Sequence, residues 1–388
     1  MMKRLFAPAA LILGSVLVAL ALGEITLRAL GFSAPIWHRP DPVLGWTLRP
    51  GIAAWFTQEG RAHVEVNAAG QRDLSHALHK APNTYRIAVL GDSYSEAMQV
   101  AREQTYWALL PERLQACGFA PGRRIEVLNF GVSGYGTAQE YLALESSAMH
   151  YRPDLVLLQF TNGNDVKDNS RALDDGMPRP FFVLERDGAL RIDVSFAQER
   201  DFVRSRSPLL ELFRDLSDRS RVVQLARAAR HVSFVRKAQA DGVEQGLEPV
   251  VLAPPRDAAW EEAWRVTEGL IARIHDYSRS QGARFLVFTV PYAIQVHPER
   301  AVRESLQAKL GVTDLFYPDR RIAEFAGRRG IAALALAPQM QRIAEETGRY
   351  FHGFPQVGMG RGHWNAGGHQ AAAELIARAL CGSSDVYR

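Results

Sequence analysis

The chain has 388 residues, 47% hydrophobic and 23% charged, which excludes a disordered or collagen-like polymer and leaves ample material for a core. Its 46 basic and 42 acidic residues leave a net charge of +4, too small an excess to indicate a nucleic-acid binder. Two cysteines, Cys117 and Cys381, can build neither a disulfide scaffold nor a four-ligand zinc site.

Leu5 to Gly23 carries no charge. Lys3 and Arg4 precede it, and Glu24 and Arg28 follow. As a helix this run spans about 28 Å, close to the thickness of a bilayer core. The leading positive charges predict an N-inside orientation. The expectation is a signal anchor over residues 1–30, crossing a bacterial inner membrane once and leaving the rest of the chain in the periplasm. A signal peptide cleaved at a small-residue site such as Ala19-Leu20-Ala21 is one alternative, and a buried core helix is the other. No cysteine follows the run, which excludes a lipoprotein anchor.

Residues 31–83 contain Pro35, Pro40, Pro42 and Pro50 and read as an accessory arm. Within it Arg61 to Asn67 alternates like a short strand, and Ala68 to Gly70 closes it with a turn. The main domain is expected over 84–388. Tyr85 to Leu90 is a first strand, ending in Gly91-Asp92-Ser93. A helix from Thr105 to Ala116 follows despite Pro111. Ile125 to Asn129 is a second strand, Thr137 to His150 a helix, and Leu155 to Phe160 a third strand. An insertion then occupies about 165–255. In it Phe181 to Ile192 reads as a hairpin turning at Asp187-Gly188. Residues 199–237 read as helical and basic, with an apolar stripe of Leu209, Leu212, Phe213, Leu216 and Val223. A helical pair covering the active site is the preferred reading of that stretch, and a surface resting on anionic lipid headgroups is the other. After the insertion come a helix from Trp260 to Gln281, strands Arg284 to Val290 and Ile331 to Leu336, and a final helix from Ala366 to Leu380. This alternation predicts an α/β fold: a flavodoxin-like, three-layer, doubly wound parallel sheet of about five strands.

Ligands of such sheets bind beyond the C-terminal strand ends, and four polar motifs fall there. Gly91-Asp92-Ser93 sets a serine on a tight strand-to-helix turn, within reach of a base. Asn129-Phe130-Gly131-Val132-Ser133-Gly134 offers backbone N–H groups. Ser133 is a rival nucleophile, but Tyr135 breaks the G-x-S-x-G pattern. Gly163-Asn164-Asp165 supplies a side-chain amide. In His363-Trp364-Asn365, Asn365 caps the final helix and His363 sits in the loop above the sheet, suited to act as a base. His369 lies inside the helix and reads as structural. Its six-residue offset from His363 argues against a metal site, and neither metal nor other cofactor is expected.

In this order and setting the motifs resemble the SGNH hydrolases, or GDSL esterases and lipases, from about Tyr85 to Leu380. The resemblance implies Ser93 as nucleophile and His363 as general base. It implies an oxyanion hole of the Ser93 and Gly134 N–H groups and the Asn164 amide. Asp92, Asp165 and Arg361 are candidate substrate contacts. The implied partner is an ester-bearing small molecule, glycan or lipid, carrying an O-acetyl or acyl group on the envelope. Two alternatives are acyl transfer to a polysaccharide and a degenerate hydrolase fold that binds carbohydrate or serves assembly. The family's usual aspartate two or three residues before the histidine is absent, for Arg361 and Gly360 stand there. A backbone carbonyl could orient His363 in a Ser-His dyad, or an acid from elsewhere could substitute, with Asp319, Glu345 and Glu346 nearby in sequence. An impaired enzyme is the third outcome. Arg361 could also bind an anionic substrate. Finally, the helices that end at Cys117 and Cys381 commonly pack on one face of a doubly wound sheet. A disulfide between them is therefore expected, with two buried thiols as the alternative.

Overall fold

The computed structural model describes residues 2–240 and 249–383. Helix α1 (Met2–Ala29) contains Leu11–Ala29, which is long and apolar enough to cross a membrane and is not buried against the rest of the protein. The arm follows as two antiparallel hairpins, β1 (His38–Asp41) with β2 (Gly45–Leu48), and β3 (Ala53–Phe56) with β4 (Ala62–Glu65). The second hairpin has the alternation of a half-buried ribbon. Ala54, Phe56, Ala62 and Val64 face inward, while Trp55, His63 and Glu65 face out.

The main domain begins with β5 (Thr84–Leu90), α2 (Ser93–Glu96), α3 (Tyr106–Ala116), β6 (Arg124–Asn129), α4 (Thr137–Ser146), β7 (Leu155–Thr161) and α5 (Asp165–Asp168). The insertion holds the hairpin β8 (Phe181–Leu184) and β9 (Leu190–Asp193), then α6 (Arg200–Ser205), α7 (Pro208–Arg219) and α8 (Arg221–Ala240). The chain returns through α9 (Ala258–Ser280), β10 (Arg284–Val290), α10 (Arg300–Leu310), α11 (Tyr317–Arg329), β11 (Ala332–Ala335) and α12 (Ala337–Thr347). It ends in the hairpin β12 (His352–Phe354) and β13 (Gly358–Trp364), and α13 (Ala366–Gly382).

Five strands form one all-parallel sheet in the order β11-β10-β7-β5-β6, the doubly wound layout expected. Strand residues alternate between two cores. Tyr85, Ile87 and Val89 of β5 join the layer containing α3 and α13, whereas Ala88 and Leu90 join the layer containing α4 and α9. The chain leaves β5 toward β6 on one side and reaches β7 on the other. That reversal opens a crevice beyond the C-terminal ends of β5 and β7.

One reading of the sequence changes, and another is extended. His363 lies on strand β13 and not in a loop. Glycines at 358, 360 and 362 give this segment poor strand propensity, so pairing with β12 has to impose the conformation. The hydrogen bonds of α7 and α8 run to each other, to α6, to the arm and to the end of α1. To the preferred reading of this pair, a cover for the active site, these bonds add a second part, the bracing of the arm.

Helices α3 and α13 pack side by side, and Cys117 and Cys381 at their ends form a disulfide across 264 residues. Closing so long a loop removes much of the unfolded chain's freedom. Denatured but unreduced protein should yield no reactive thiol, and reduced protein two. Replacing both cysteines by serine should lower unfolding stability by roughly 2–5 kcal/mol, read from urea titration.

Candidate active site

Ser93 opens α2 directly after β5, and the turn that carries it is held from beneath. Asp92 caps α2 by accepting from the Tyr94 N–H at 3.0 Å. Gln159, from the neighbouring strand β7, donates to Asp92 Oδ1 at 3.0 Å and accepts from the Asp92 N–H at 3.2 Å and the Ser95 hydroxyl at 2.7 Å. The turn is thus pinned at side chain and backbone. Ser93 itself is half-buried, so its hydroxyl remains reachable.

His363 on β13 faces Ser93, with Nε2 2.8 Å from Ser93 Oγ. Its other nitrogen, Nδ1, is 2.6 Å from Oε2 of Glu59. A carboxylate can only accept, so Nδ1 carries the proton and Nε2 accepts from the serine hydroxyl. Glu59 comes from the arm, in the loop between β3 and β4. Burial alone would raise its carboxyl, but the charge and hydrogen bonds of His363, with help from Gln99, hold it below the ordinary value of 4.5.

The carboxylate that meets Nδ1 thus comes from a part of the chain the sequence reading did not consider. Of the three acids named there, two are engaged elsewhere and one is exposed on a helix. Asp319 is buried and bonded to Thr289, Asn162 and Gln295. Glu345 pairs with Arg303, and Glu346 is exposed on α12. Nor does a backbone carbonyl orient the ring, since Glu59 takes Nδ1.

Two glycines permit this contact. At Gly362 (φ +71°) a Cβ would overlap Glu59 Oε1, and the backbone already lies in the left-handed region. At Gly60 a Cβ would overlap the carbonyl oxygen of Gln99. The loop holding Glu59 is thus seated directly on the chain that follows Ser93. Gln356 donates to the Glu59 carbonyl and ties the same loop to the β12–β13 hairpin.

The other expected residues divide into two groups. Ser93 and Gly134 stand at the crevice, and among the described residues neither backbone N–H has a hydrogen-bond acceptor. The Asn164 amide is also here, donating to Asp92 Oδ2 and Asp168 Oδ2 at 3.2 Å each. Asp92 and Asp165 are not substrate contacts, because both are buried beneath the surface. Burial raises both carboxyls, Asp165 well above the usual range with the added push of Glu140. Asp165 instead accepts from the Thr161 N–H at 2.8 Å and closes the turn after β7. Arg361 is exposed, and its guanidinium folds over Gly358.

Ser133 is not poised as a rival nucleophile. Its hydroxyl donates to Glu96, and its carbonyl accepts from Trp46 Nε1 at 2.9 Å. Those contacts fix the loop carrying Gly134. Burial would raise Glu96, but His38, 2.8 Å away, outweighs it and keeps the carboxyl low. His369 is buried, accepts from the Tyr106 N–H and stacks on the Tyr106 ring, as its structural reading requires. Burial drives it down to about 3.

No protein-family model matches this sequence, and no curated protein does. Among solved structures the chain is similar to acetyl xylan esterases and a GDSL-like lipase, all at low identity. An acetyl xylan esterase, AlAXEase, is 13% identical with a TM-score of 0.39, covering 76% of this chain and 98% of that one. A catalytic mutant of Axe2, an acetylxylan esterase from Geobacillus stearothermophilus, is 12% identical with a TM-score of 0.38, covering 78% and 96%. A GDSL-like lipase from Bacteroides thetaiotaomicron VPI-5482 is 11% identical with a TM-score of 0.35, covering 76% and 87%.

Glu59 has a depressed carboxyl, so the stability it adds is complete above 4.5 and is lost as pH falls through its lower folded-state value. Glu59→Gln should therefore unfold at lower urea than wild type at neutral pH. The gap should narrow as the pH is taken progressively below 4.5.

Proposed function

We propose that the protein is a serine ester hydrolase of the SGNH type, with Ser93 as nucleophile, His363 as general base and Glu59 as the acid of the triad. The unbroken hydrogen-bonded chain Ser93–His363–Glu59 at the switch-point crevice is the observation that carries this reading. Ser93 Oγ attacks the acyl carbonyl while His363 Nε2 takes its proton. Glu59 keeps the imidazole in the required tautomer and faces the positive charge that develops on it. The free N–H groups of Ser93 and Gly134 meet the oxyanion. Asn164 joins them when the substrate oxygen replaces one of its two carboxylate partners. Collapse expels the alcohol, protonated by His363, and water then releases the acyl group by the same route.

The case for a degenerate, purely binding fold rested on a missing acid, and Glu59 removes that ground. An acyltransferase would form the same acyl-enzyme and pass it to a sugar hydroxyl. Hydrolysis is preferred because the histidine follows the serine in the chain, as in the hydrolytic members of the family that the motifs resemble. Reading α1 as a signal anchor places the site on the outer side of a bacterial inner membrane. The substrate class is then an O-acetyl or acyl ester on envelope carbohydrate or lipid. Arg361, exposed two residues before His363, would meet an anionic group on such a substrate.

A fluorophosphonate probe should label the wild type and not Ser93→Ala; label retained in the variant would sink the assignment. With a short aryl ester, Glu59→Gln should lower kcat by about 10²- to 10⁴-fold. Asn164→Ala should lower it by about 10²- to 10³-fold. Free carboxylic acid should remain the product when oligosaccharide is added; a shift to acylated sugar would select the transferase reading.

A further inference from the structure

Helix α7 is amphipathic in the reverse of the usual sense. Leu209, Leu212, Phe213 and Leu216 repeat at i, i+3, i+4 and i+7 and so form one stripe, which a water-surrounded helix turns toward the core. Here those four side chains are 76%, 55%, 64% and 52% exposed. The polar edge is the one packed inward. Asp218 pairs with Arg49 and Arg227 and accepts from the Ile36 N–H at 3.2 Å, and Arg214 donates to the Ser205 carbonyl. A soluble domain gains nothing by burying the charges of a helix and wetting its leucines.

The place of the stripe in the fold supplies the occupant. The start of α8, immediately after α7, is capped by the last turns of α1. Glu24 accepts from the Ser220 hydroxyl at 3.1 Å and the Val222 N–H at 3.2 Å, and Arg28 donates to the carbonyl of Arg219 at 2.6 Å. The apolar face of α7 is therefore tied to the end of the apolar, unburied α1. Arg204 of α6, Arg206 of the following turn and Arg219 at the end of α7 are exposed, as are Glu211 and Asp215 on α7. We propose that α7 lies in the membrane interface beside α1, its four apolar side chains in the acyl boundary and these arginines on anionic headgroups. A second copy of the chain is the competing occupant. Continuity with an unburied span favours lipid. The proposal rests on α1 spanning a bilayer and needs nothing from the reading of the site as an esterase.

The test uses the full chain in vesicles of phosphatidylcholine and phosphatidylglycerol. Phe213→Cys and Val16→Cys are each labelled with an environment-sensitive fluorophore; the native cysteines are bonded to each other and do not react. The label at 213 should be blue-shifted and quenched by lipids carrying a doxyl group near the headgroup, and the label at 16 by a doxyl group deep in the chain. Deep quenching at 16 with none at 213 would overturn the inference while leaving the span intact. No quenching at either position would overturn both. Energy transfer between labelled copies at 213, without lipid quenching, would assign the stripe to self-association instead. No ester is turned over in this measurement, so a failure of the hydrolase reading is seen separately, in the probe-labelling experiment.

Discussion

The contact between Glu59 Oε2 and His363 Nδ1 joins residues 304 apart in sequence, and the rest of the site is arranged around it. An imidazole that removes a proton from a hydroxyl needs its second nitrogen tied to an acceptor. Otherwise neither its tautomer nor its orientation is fixed. The pair is only partly covered, with side-chain exposures of 30% for His363 and 24% for Glu59. Ion pairs in such settings add little net stability, since desolvation offsets much of the attraction. The value of this one is positional. It brings the arm, which shares no strand with the main sheet, into the constellation at the sheet's C-terminal edge.

What seats the arm is a set of buried polar contacts with the segments that carry Ser93 and Gly134. Arg72 is inserted beneath the chain that follows Ser93, where it donates to the carbonyls of Glu96, Ala97 and Val100. Burial lowers it to about 10, still protonated at neutral pH. Asp73 accepts from the Asn129 N–H at 3.0 Å, at the end of β6. Trp46 holds the Ser133 carbonyl beside Gly134, and Gly60 rests on Gln99. Leaving any of these carbonyls or charges unpaired in the interior would cost more than the bond itself contributes, so the arm has few alternative ways to dock. The turn after β5, the turn after β6 and the arm then behave as one unit.

The sequence made much of this legible, because strands buried on both faces announce themselves as short apolar runs and the polar motifs stand directly after them. Tyr85 to Leu90, Ile125 to Asn129 and Leu155 to Phe160 are such runs, and Ser93, Gly134 and Asn164 follow from their ends. The disulfide was legible through topology, since the order of a doubly wound sheet places α3 and α13 together. Glu59 was not legible. It lies in a polar loop between two four-residue strands, and nothing local marks it as different from glutamates elsewhere in the chain. Its role comes from a tertiary contact, and the usual position for such an acid, just before the histidine, is filled by Gly360 and Arg361. The glycine-rich segment around His363 hid a strand for the same reason, because pairing with β12 overrides weak propensity. Gln159 escaped notice because it points inward from a strand that otherwise reads as purely apolar.

The arm is also held from its other end. Arg49 pairs with Asp215 and Asp218 of α7, and the backbone N–H groups of Ala34 and Ile36 donate to Gln224 and Asp218. Contacts thus run without a break from the end of α1, through α7 and α8, along the arm to Glu59 and His363. When the acid sits in the loop before the histidine, a triad is the property of one loop. In the triad proposed for this protein the carboxylate comes from a docked segment, and the elements nearest the apolar helix are among those that dock it. Such contiguity gives support and not a switch. Every contact along the path is satisfied in one arrangement, and transmission between two sites needs an element with a second one. The physical consequence is rigidity: the carboxylate reaches the imidazole because the arm is fixed at both ends, near the apolar helix and at the turn that carries Ser93.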